Sequence, residues 1–161
     1  MAKLSKPLLL LIALACTAML AVGLYLQLQL DMLPCPLCIL QRYAFAAIAL
    51  ISIITLALPA AATRIGASIA CMASLSGAGI AIHHLWVKAH PTVSCGIDPL
   101  ETSLNKIAPA QWFPSLFQAD GLCTTEYDPI LGLSIPAWAL IWFVIFALLT
   151  AAIVILNRRK L

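Results

Sequence analysis

The segment IPAWALIWFVIFALLTAAIVIL, residues 135–156, contains no charged side chain. Since about 20 consecutive apolar residues are enough for an α-helix to cross a bilayer, this segment predicts a transmembrane helix. Three further uncharged runs cover residues 8–26, 43–62 and 65–82. The whole chain is 63% hydrophobic and 9% charged, whereas soluble domains contain about 25% charged residues. The composition therefore argues against a water-soluble fold.

The four runs predict an all-α membrane protein in which four transmembrane helices form a bundle. We expect a single membrane domain over residues 1–161. Its helices should cover about residues 8–28, 39–62, 65–87 and 135–156, with outer loops at about 29–38 and 88–134. Only the second outer loop is long enough to hold a site of its own.

The second outer loop contains large apolar residues between Asn105 and Phe117. Their spacing places them on one helical face and predicts a short interfacial helix on the membrane surface. The alternative is an ordered loop whose aromatic side chains form an interfacial belt, because Pro109 and Pro114 limit any helix here to short pieces.

The basic residues indicate which face of the membrane each loop occupies. Lys and Arg near helix ends stay on the cytoplasmic side, and most of them flank the termini or the turn at Arg64. All six acidic residues fall in the two other connections. Both termini are therefore expected to be cytoplasmic. The net charge of +3 is a sum over two oppositely biased faces, so it indicates no nucleic-acid partner. The terminal basic residues are Lys3, Lys6, Arg158, Arg159 and Lys160.

A cleaved signal peptide is the alternative interpretation of the first apolar run, and residues 13–16 resemble a lipoprotein cleavage site. The run continues to Leu28, however, which is longer than the apolar region of a signal peptide requires. We therefore expect this segment to remain as the first transmembrane helix.

The six cysteines fall into two groups. Cys16 and Cys71 lie inside apolar runs, where a thiol usually packs as a small hydrophobic group. The other four lie in the outer loops, where an oxidising environment and an even number favour disulfides. Four cysteines allow three connectivities, so the residues alone leave the pairing open. The loop cysteines are Cys35, Cys38, Cys95 and Cys123.

Cys35 and Cys38 form a C-x-x-C motif in LPCPLCILQR, residues 33–42. Two intervening residues allow a small-ring disulfide that opens readily, so the pair is suited to exchange. Cys38 falls in the first turn of a predicted helix, where unpaired N–H groups and the helix dipole favour a thiolate. Arg42 lies on the same helix face. An arginine at the membrane boundary indicates function, with snorkelling to lipid head groups as the alternative.

Cys95 and Cys123 lie 28 positions apart. The entropic model assigns a disulfide across such a loop roughly 3 to 4 kcal/mol, so a static brace is a serious alternative to a redox role. A position in a solvent-facing loop favours exchange, because a soluble thiolate can attack an exposed disulfide.

Haem and metal sites fit the sequence poorly. A c-type haem requires His directly after C-x-x-C, and position 39 is Ile. A structural zinc site normally has a second close Cys or His pair, for which His83 and His84 are only a weak signal. We expect no bound metal.

The sequence resembles the DsbB family, the disulfide bond formation proteins B, which are quinone-dependent oxidases of the bacterial inner membrane. The resemblance covers nearly the whole chain, and its main motif is C-x-L-C with Arg42 four residues after the second cysteine. Gln41, where relatives are often acidic, and Lys88, where Gln is frequent, depart from the family pattern. Further familial segments are WFPSLF (112–117), GLC (121–123) and GLSIPAW (132–138).

The resemblance implies a thiol:quinone oxidoreductase that a soluble DsbA-like protein of the thioredoxin fold supplies with two electrons. The implied disulfides join Cys35 with Cys38 and Cys95 with Cys123. By similarity, Cys95 forms the mixed disulfide with the donor and Cys123 then exchanges with Cys35. Cys38 passes the electrons to ubiquinone or menaquinone in the lipid bilayer.

The resemblance also implies that Arg42 and His84 bind the quinone, although the neighbouring His83 competes for the second role. A four-helix membrane scaffold or transporter with static disulfides is the alternative from another class. A membrane oxidoreductase of the vitamin K epoxide reductase type is a nearer alternative. Its C-x-x-C lies late in a similar bundle, whereas here the motif precedes the second helix.

Overall fold

The structure is a computed structural model, and it describes residues 2–90 and 97–158. Within these ranges, regular structure is helical apart from one isolated bridge between Ile130 and Leu133. Four long helices are joined by short connections, and three short α-helices lie between the last two long ones. In chain order the helices are α1 (Ala2–Gln29), α2 (Pro36–Ala57), α3 (Thr63–Ala89), α4 (Thr102–Asn105), α5 (Ala108–Trp112), α6 (Pro114–Phe117) and α7 (Ile135–Arg158).

The four long helices are apolar enough to cross a membrane. The candidate spans are Ser5–Gln29, Pro36–Ala57, Ala60–Ala89 and Ile135–Asn157. The predicted all-α fold with four candidate transmembrane helices is thereby confirmed. Short helices occupy the long loop before α7, where the sequence predicts either one short helix between Asn105 and Phe117 or an ordered loop.

A tight connection joins α2 to α3. A single 3₁₀ turn over Ala60–Ala62 reverses the chain, and the two helices then cross closely. A Cβ atom on Gly66 would overlap the side chain of Thr55, so the absence of a side chain at position 66 permits this crossing.

The middle of the bundle is held by aromatic side chains from α2 and α7. The rings of Phe45 and Phe143 stack with centroids 4.1 Å apart, and Phe146 meets Phe45 edge to face at 6.3 Å. Phe143 is fully buried because Gly77 of α3 leaves room for its ring. Buried Cys16 belongs to the same apolar core.

α2 begins and α3 ends at the same end of the bundle, the outer end. Two smaller apolar clusters lie there, and both contain residues of the loop that precedes α7. Phe117 of α6 stacks on Tyr43 of α2 at 4.5 Å. The loop is therefore packed on the start of α2, which is where the C-x-x-C motif lies.

Candidate functional site

The C-x-x-C motif forms the start of α2. Pro36 occupies the first turn, where its missing N–H costs no hydrogen bond. Cys35 is the N-cap residue, and its sulfur accepts a hydrogen bond from the backbone N–H of Cys38 at 3.4 Å. The two cysteines are free thiols with their sulfur atoms 3.3 Å apart.

Cys35 is the more deeply buried of the two cysteines, with 2% of its surface exposed. The hydrogen bond to Cys38 and the burial of the thiol raise the pKa of Cys35 above its ordinary value. Cys35 therefore holds its proton more tightly than an exposed thiol does, and its thiolate is a poor leaving group.

Cys123 reaches the same position from the loop before α7. The Cys35 sulfur, the Cys123 sulfur and a ring nitrogen of His84 all lie within 4.8 Å of one another, and all three residues are buried. Cys123 is engaged in a disulfide. Cys95 lies outside the described residues. The loop therefore places a disulfide sulfur beside the helix-start thiol.

A backbone clamp holds Cys123 in this place. The carbonyl oxygen of Pro34 accepts hydrogen bonds from the N–H groups of Asp120 and Gly121, each at 3.1 Å. A Cβ atom on Gly121 would overlap the carbonyl oxygen of Leu33. The segment that leads to Cys123 thus lies directly on the segment that leads to Cys35.

One side chain orders the loop that carries Cys123, and a second joins that loop to the first outer loop. The amide of Asn105 donates to the carbonyl of Ala119 at 3.0 Å and accepts from its N–H at 2.9 Å. The hydroxyl of Tyr127 donates to the carbonyl of Leu33 at 3.3 Å. Burial raises the pKa of Tyr127, which further favours the protonated hydroxyl that donates this bond.

The two neighbouring histidines have different environments in the structure. His84 is buried, with Nε2 3.6 Å from the sulfur of Cys35 and Nδ1 3.3 Å from the amide nitrogen of Gln41. His83 is exposed, and its ring faces that of Trp86 at 6.1 Å. Of the two, His84 is therefore the one at the cysteine site.

Arg42 is buried, with 8% of its surface exposed, and its guanidinium bonds to protein groups. It donates to the side-chain oxygen of Gln27 at 2.8 Å and to the carbonyls of Gly23 and Leu116 at 3.0 Å each. These bonds connect α2 with α1 and with α6. Because the guanidinium is held inside the protein, the snorkelling alternative does not describe Arg42.

A cavity of about 280 Å³ brings these groups together. Its walls are largely apolar and come from all four long helices and the loops, and they include Trp138 and Trp142. The cavity is therefore suited to a flat apolar molecule that reaches a few polar groups. The five predicted site residues within the described ranges all line it: Cys35, Cys38, Arg42, His84 and Cys123.

Sequence reasoning missed several residues of the site. In the sequence Gln41 is only a departure from the family pattern beside Arg42, yet its partner is His84. The GLC segment was noted as familial, but its spacing does not reveal that Gly121 packs on the first outer loop. The roles of Asn105 and Tyr127 had no sequence signal, because their partners are distant backbone carbonyls.

Comparison with known proteins identifies the same family in each case. The sequence profile described as disulfide bond formation protein DsbB matches residues 5–153. Disulfide bond formation protein B of Herminiimonas arsenicoxydans is 63% identical over 144 residues, which cover 89% of this chain and 91% of that protein. Disulfide bond formation protein B 1 of Pseudomonas syringae pv. syringae is 44% identical over 156 residues, 96% and 92% of the two chains. The protein B of Cupriavidus necator is 42% identical over 157 residues, 97% and 96% of the two chains.

Proposed function

The chain belongs to the DsbB family of disulfide bond formation proteins, and from this membership we propose that it is a membrane thiol:quinone oxidoreductase. Membership itself implies disulfide oxidoreductase activity. The more specific proposal is that the protein reoxidises a DsbA-like thioredoxin-fold donor and passes two electrons to a membrane quinone. The observation that carries it is the proximity of the Cys123 sulfur to the Cys35 sulfur, which lie within 4.8 Å of each other.

Electrons would enter through the loop disulfide, which we propose joins Cys95 to Cys123. A thiolate of the donor attacks Cys95, the bond to Cys123 breaks, and Cys123 leaves with the electron pair. The mixed disulfide between the donor and Cys95 then resolves by attack of the donor's second thiolate. The donor emerges oxidised, and both loop cysteines are reduced.

The next exchange would take place where the two loops meet. With Cys35 and Cys38 joined as a disulfide, the Cys123 thiolate attacks Cys35, a bond forms between them, and Cys38 leaves as the thiolate. The clamp at Pro34 supports this step, because it holds Cys123 against Cys35 and so raises the local concentration of the attacking sulfur. The raised pKa of Cys35 favours Cys38 as the leaving sulfur.

The quinone would bind in the cavity beside Cys38, Arg42 and His84. A quinone, whether ubiquinone or menaquinone, is a two-electron acceptor that dissolves in the bilayer. The apolar walls fit a flat ring, and Arg42 offers a positive charge at a site that the protein holds rigidly through three hydrogen bonds. His84 supplies a ring nitrogen that can carry a proton beside Cys35.

The proposed location is the bacterial inner membrane, with both termini in the cytoplasm and the four loop cysteines on the periplasmic side. Four candidate spans support a multi-pass arrangement, and the distribution of Lys and Arg supports the orientation. This orientation places the cysteines where disulfides persist.

The test uses detergent-purified protein, a quinone and reduced DsbA. We expect the quinone absorbance to change as the quinone is reduced, and we expect Cys38→Ser to abolish this change. Cys71→Ser is the matched control, since the Cys71 thiol contacts the carbonyl of Ala147 in the bundle at 3.7 Å, away from the site. Absence of quinone reduction, or full turnover by Cys38→Ser, would instead favour a scaffold or transporter with static disulfides.

A further inference from the structure

We propose that the fully reduced protein binds one thiophilic divalent metal ion, Zn²⁺ or Cd²⁺, through Cys35, Cys38, His84 and Cys123. These four residues would form a Cys₃His site. The bound ion would coordinate the sulfur of Cys123, which attacks in the proposed exchange, and that of Cys35, which is attacked. It would therefore inhibit the exchange. The binding claim stands apart from the proposed function, and only the inhibition rests on it.

The distances between the donor atoms are close to those of a metal site. Cys35 and Cys38 have their sulfur atoms 3.3 Å apart, and Nε2 of His84 lies 3.6 Å from the sulfur of Cys35. The sulfur of Cys123 lies within 4.8 Å of both Cys35 and His84. Tetrahedral zinc with Zn–S of about 2.3 Å and Zn–N of about 2.0 Å places its ligand atoms about 3.5–3.8 Å apart. Cys35, His84 and Cys123 already lie within 4.8 Å of one another, and Cys38 would join them through its sulfur, which lies beside that of Cys35.

The residue types and their placement also fit a zinc-type ion. Two cysteines separated by two residues form the usual chelating pair of structural zinc sites. The other two ligands come from α3 and from the loop before α7, so three segments would converge on one ion. Cys35, His84 and Cys123 are buried and Cys38 is half-buried, which favours a site with four protein ligands over one that is open to water.

The surroundings can support a bound ion. Three thiolates and a neutral histidine around a divalent cation carry a net charge of −1. Arg42 and Lys88 line the same cavity and offer compensating positive charge. A metal on Nε2 of His84 would leave Nδ1 protonated, and the Gln41 amide beside it could turn its oxygen to accept that hydrogen bond.

Metal binding would depend on the redox state. Cys35 and Cys38 are free in this structure, whereas Cys123 is in a disulfide and becomes a ligand only after reduction. Opening that disulfide takes two electrons and two protons. A dithiol supplies both and becomes a disulfide, whereas a phosphine supplies the electrons, becomes the phosphine oxide and leaves the protons to come from water. The metal then displaces three thiol protons, which pass to solvent, and it oxidises no group. Oxidation of Cys35 and Cys38 to a disulfide would remove two ligands and release the ion.

The test is a titration of Cd²⁺ into purified protein that has been reduced with a phosphine and freed of it without oxygen. No quinone or donor protein is present. We expect one tightly bound Cd²⁺ per chain, with a sulfur-to-cadmium charge-transfer band in the ultraviolet, and no such binding by protein oxidised beforehand. Affinity is measured by competition with a chelator.

The variants distinguish the four-ligand site from a simple dithiol complex. His84→Ala and Cys123→Ser should each weaken Cd²⁺ binding at least about tenfold, a loss that removal of outer-shell partners alone can reach. His83→Ala, one residue away and exposed, and Cys71→Ser are the controls and should bind as the wild type does. Thermal unfolding of each variant in detergent shows that it is folded.

Equal affinity in the wild type, His84→Ala and Cys123→Ser would overturn the proposal, because the ion would then be held by Cys35 and Cys38 alone. Absence of any stoichiometric Cd²⁺ binding would also overturn it. Neither outcome bears on quinone reduction, which the previous assay measures separately.

Discussion

The backbone N–H of Gly121 donates a hydrogen bond to the carbonyl oxygen of Pro34 at 3.1 Å. These residues belong to the two loops that carry the cysteines of the site, one residue before Cys35 and two residues before Cys123. The bond thus fixes the separation of the two sulfur atoms through main-chain atoms.

Gly121→Ala should slow exchange between the loops. The new Cβ atom would overlap the carbonyl of Leu33, so the loop must move away and carry Cys123 with it. A displacement of about 1 Å at a reacting group can cost up to about 100-fold in rate, and we expect turnover with reduced DsbA to fall about 10- to 100-fold.

Asp120→Ala is the control for this loss, because it keeps the backbone N–H that binds the Pro34 carbonyl. The KM for reduced DsbA should change little in Gly121→Ala, since the donor attacks elsewhere in the loop. Unchanged kcat in Gly121→Ala would show that the clamp does not position Cys123.

Asn105→Ala should loosen the loop that carries Cys123. It would leave both the N–H and the carbonyl of fully buried Ala119 without their present partners. An unsatisfied buried group costs about 1–3 kcal/mol. Hydrogen exchange of residues 119–123 should therefore accelerate.

Asn105→Asp offers a graded comparison, since its carboxylate still accepts from the N–H of Ala119 but cannot donate to the carbonyl. Its exchange rate should fall between those of the wild type and Asn105→Ala. If Asn105→Ala exchanges as slowly as the wild type, another contact holds this segment.

Gly77→Ala should destabilise the middle of the bundle. The added methyl group would overlap the ring of Phe143, which is stacked on Phe45 and fully buried. Overpacking of this kind costs about 1–3 kcal/mol, so the unfolding temperature in detergent should fall.

Gly79→Ala is the matched control, because a Cβ atom at position 79 of the same helix meets nothing within 4 Å. Its unfolding temperature should stay at or slightly above the wild-type value, since alanine is the better helix former. Equal unfolding temperatures for the two variants would mean that the Phe143 ring can move aside.

Arg42→Lys should weaken the contact between the helices even though the charge is kept. A single ammonium group cannot reproduce the forked contacts of Arg42 with Gln27, Gly23 and Leu116. Loss of one charged hydrogen bond costs about 1.5–3 kcal/mol. Both thermal stability and quinone affinity should decrease.

Arg64→Lys, in the first turn of α3, is the control and should leave both properties unchanged. Gln27→Ala removes one of the Arg42 partners and should reproduce part of the loss in stability. Wild-type stability in Arg42→Lys would show that the charge alone is sufficient at this position.

The fold class could be predicted because hydropathy and helix length act locally along the chain. The same holds for the placement of Cys35 and Cys38 at a helix start, which Pro36 and the following apolar run indicate. These features need no knowledge of which helix packs against which.

The assembly of the site could not be predicted from spacing, because it depends on tertiary contacts. Cys123 lies far from Cys35 in sequence, and the bonds that hold the two loops together run to backbone carbonyls. The choice of His84 over His83 depends on how α3 is rotated about its own axis. The many small residues of α3 do not reveal this rotation. The resemblance to a family supplied the expected roles, and the structure supplied the packing at Pro34 and Gly121.

The clamp also bears on how freely this protein could be redesigned. Its acceptor is a main-chain carbonyl, and its two donors are main-chain N–H groups, so most substitutions in either loop would leave all three atoms in place. What the contact requires of the sequence is mainly the lack of a side chain at position 121. The close approach of the two loops thus depends on the absence of a side chain at position 121. Surface residues around the contact can therefore be changed to suit a different soluble donor.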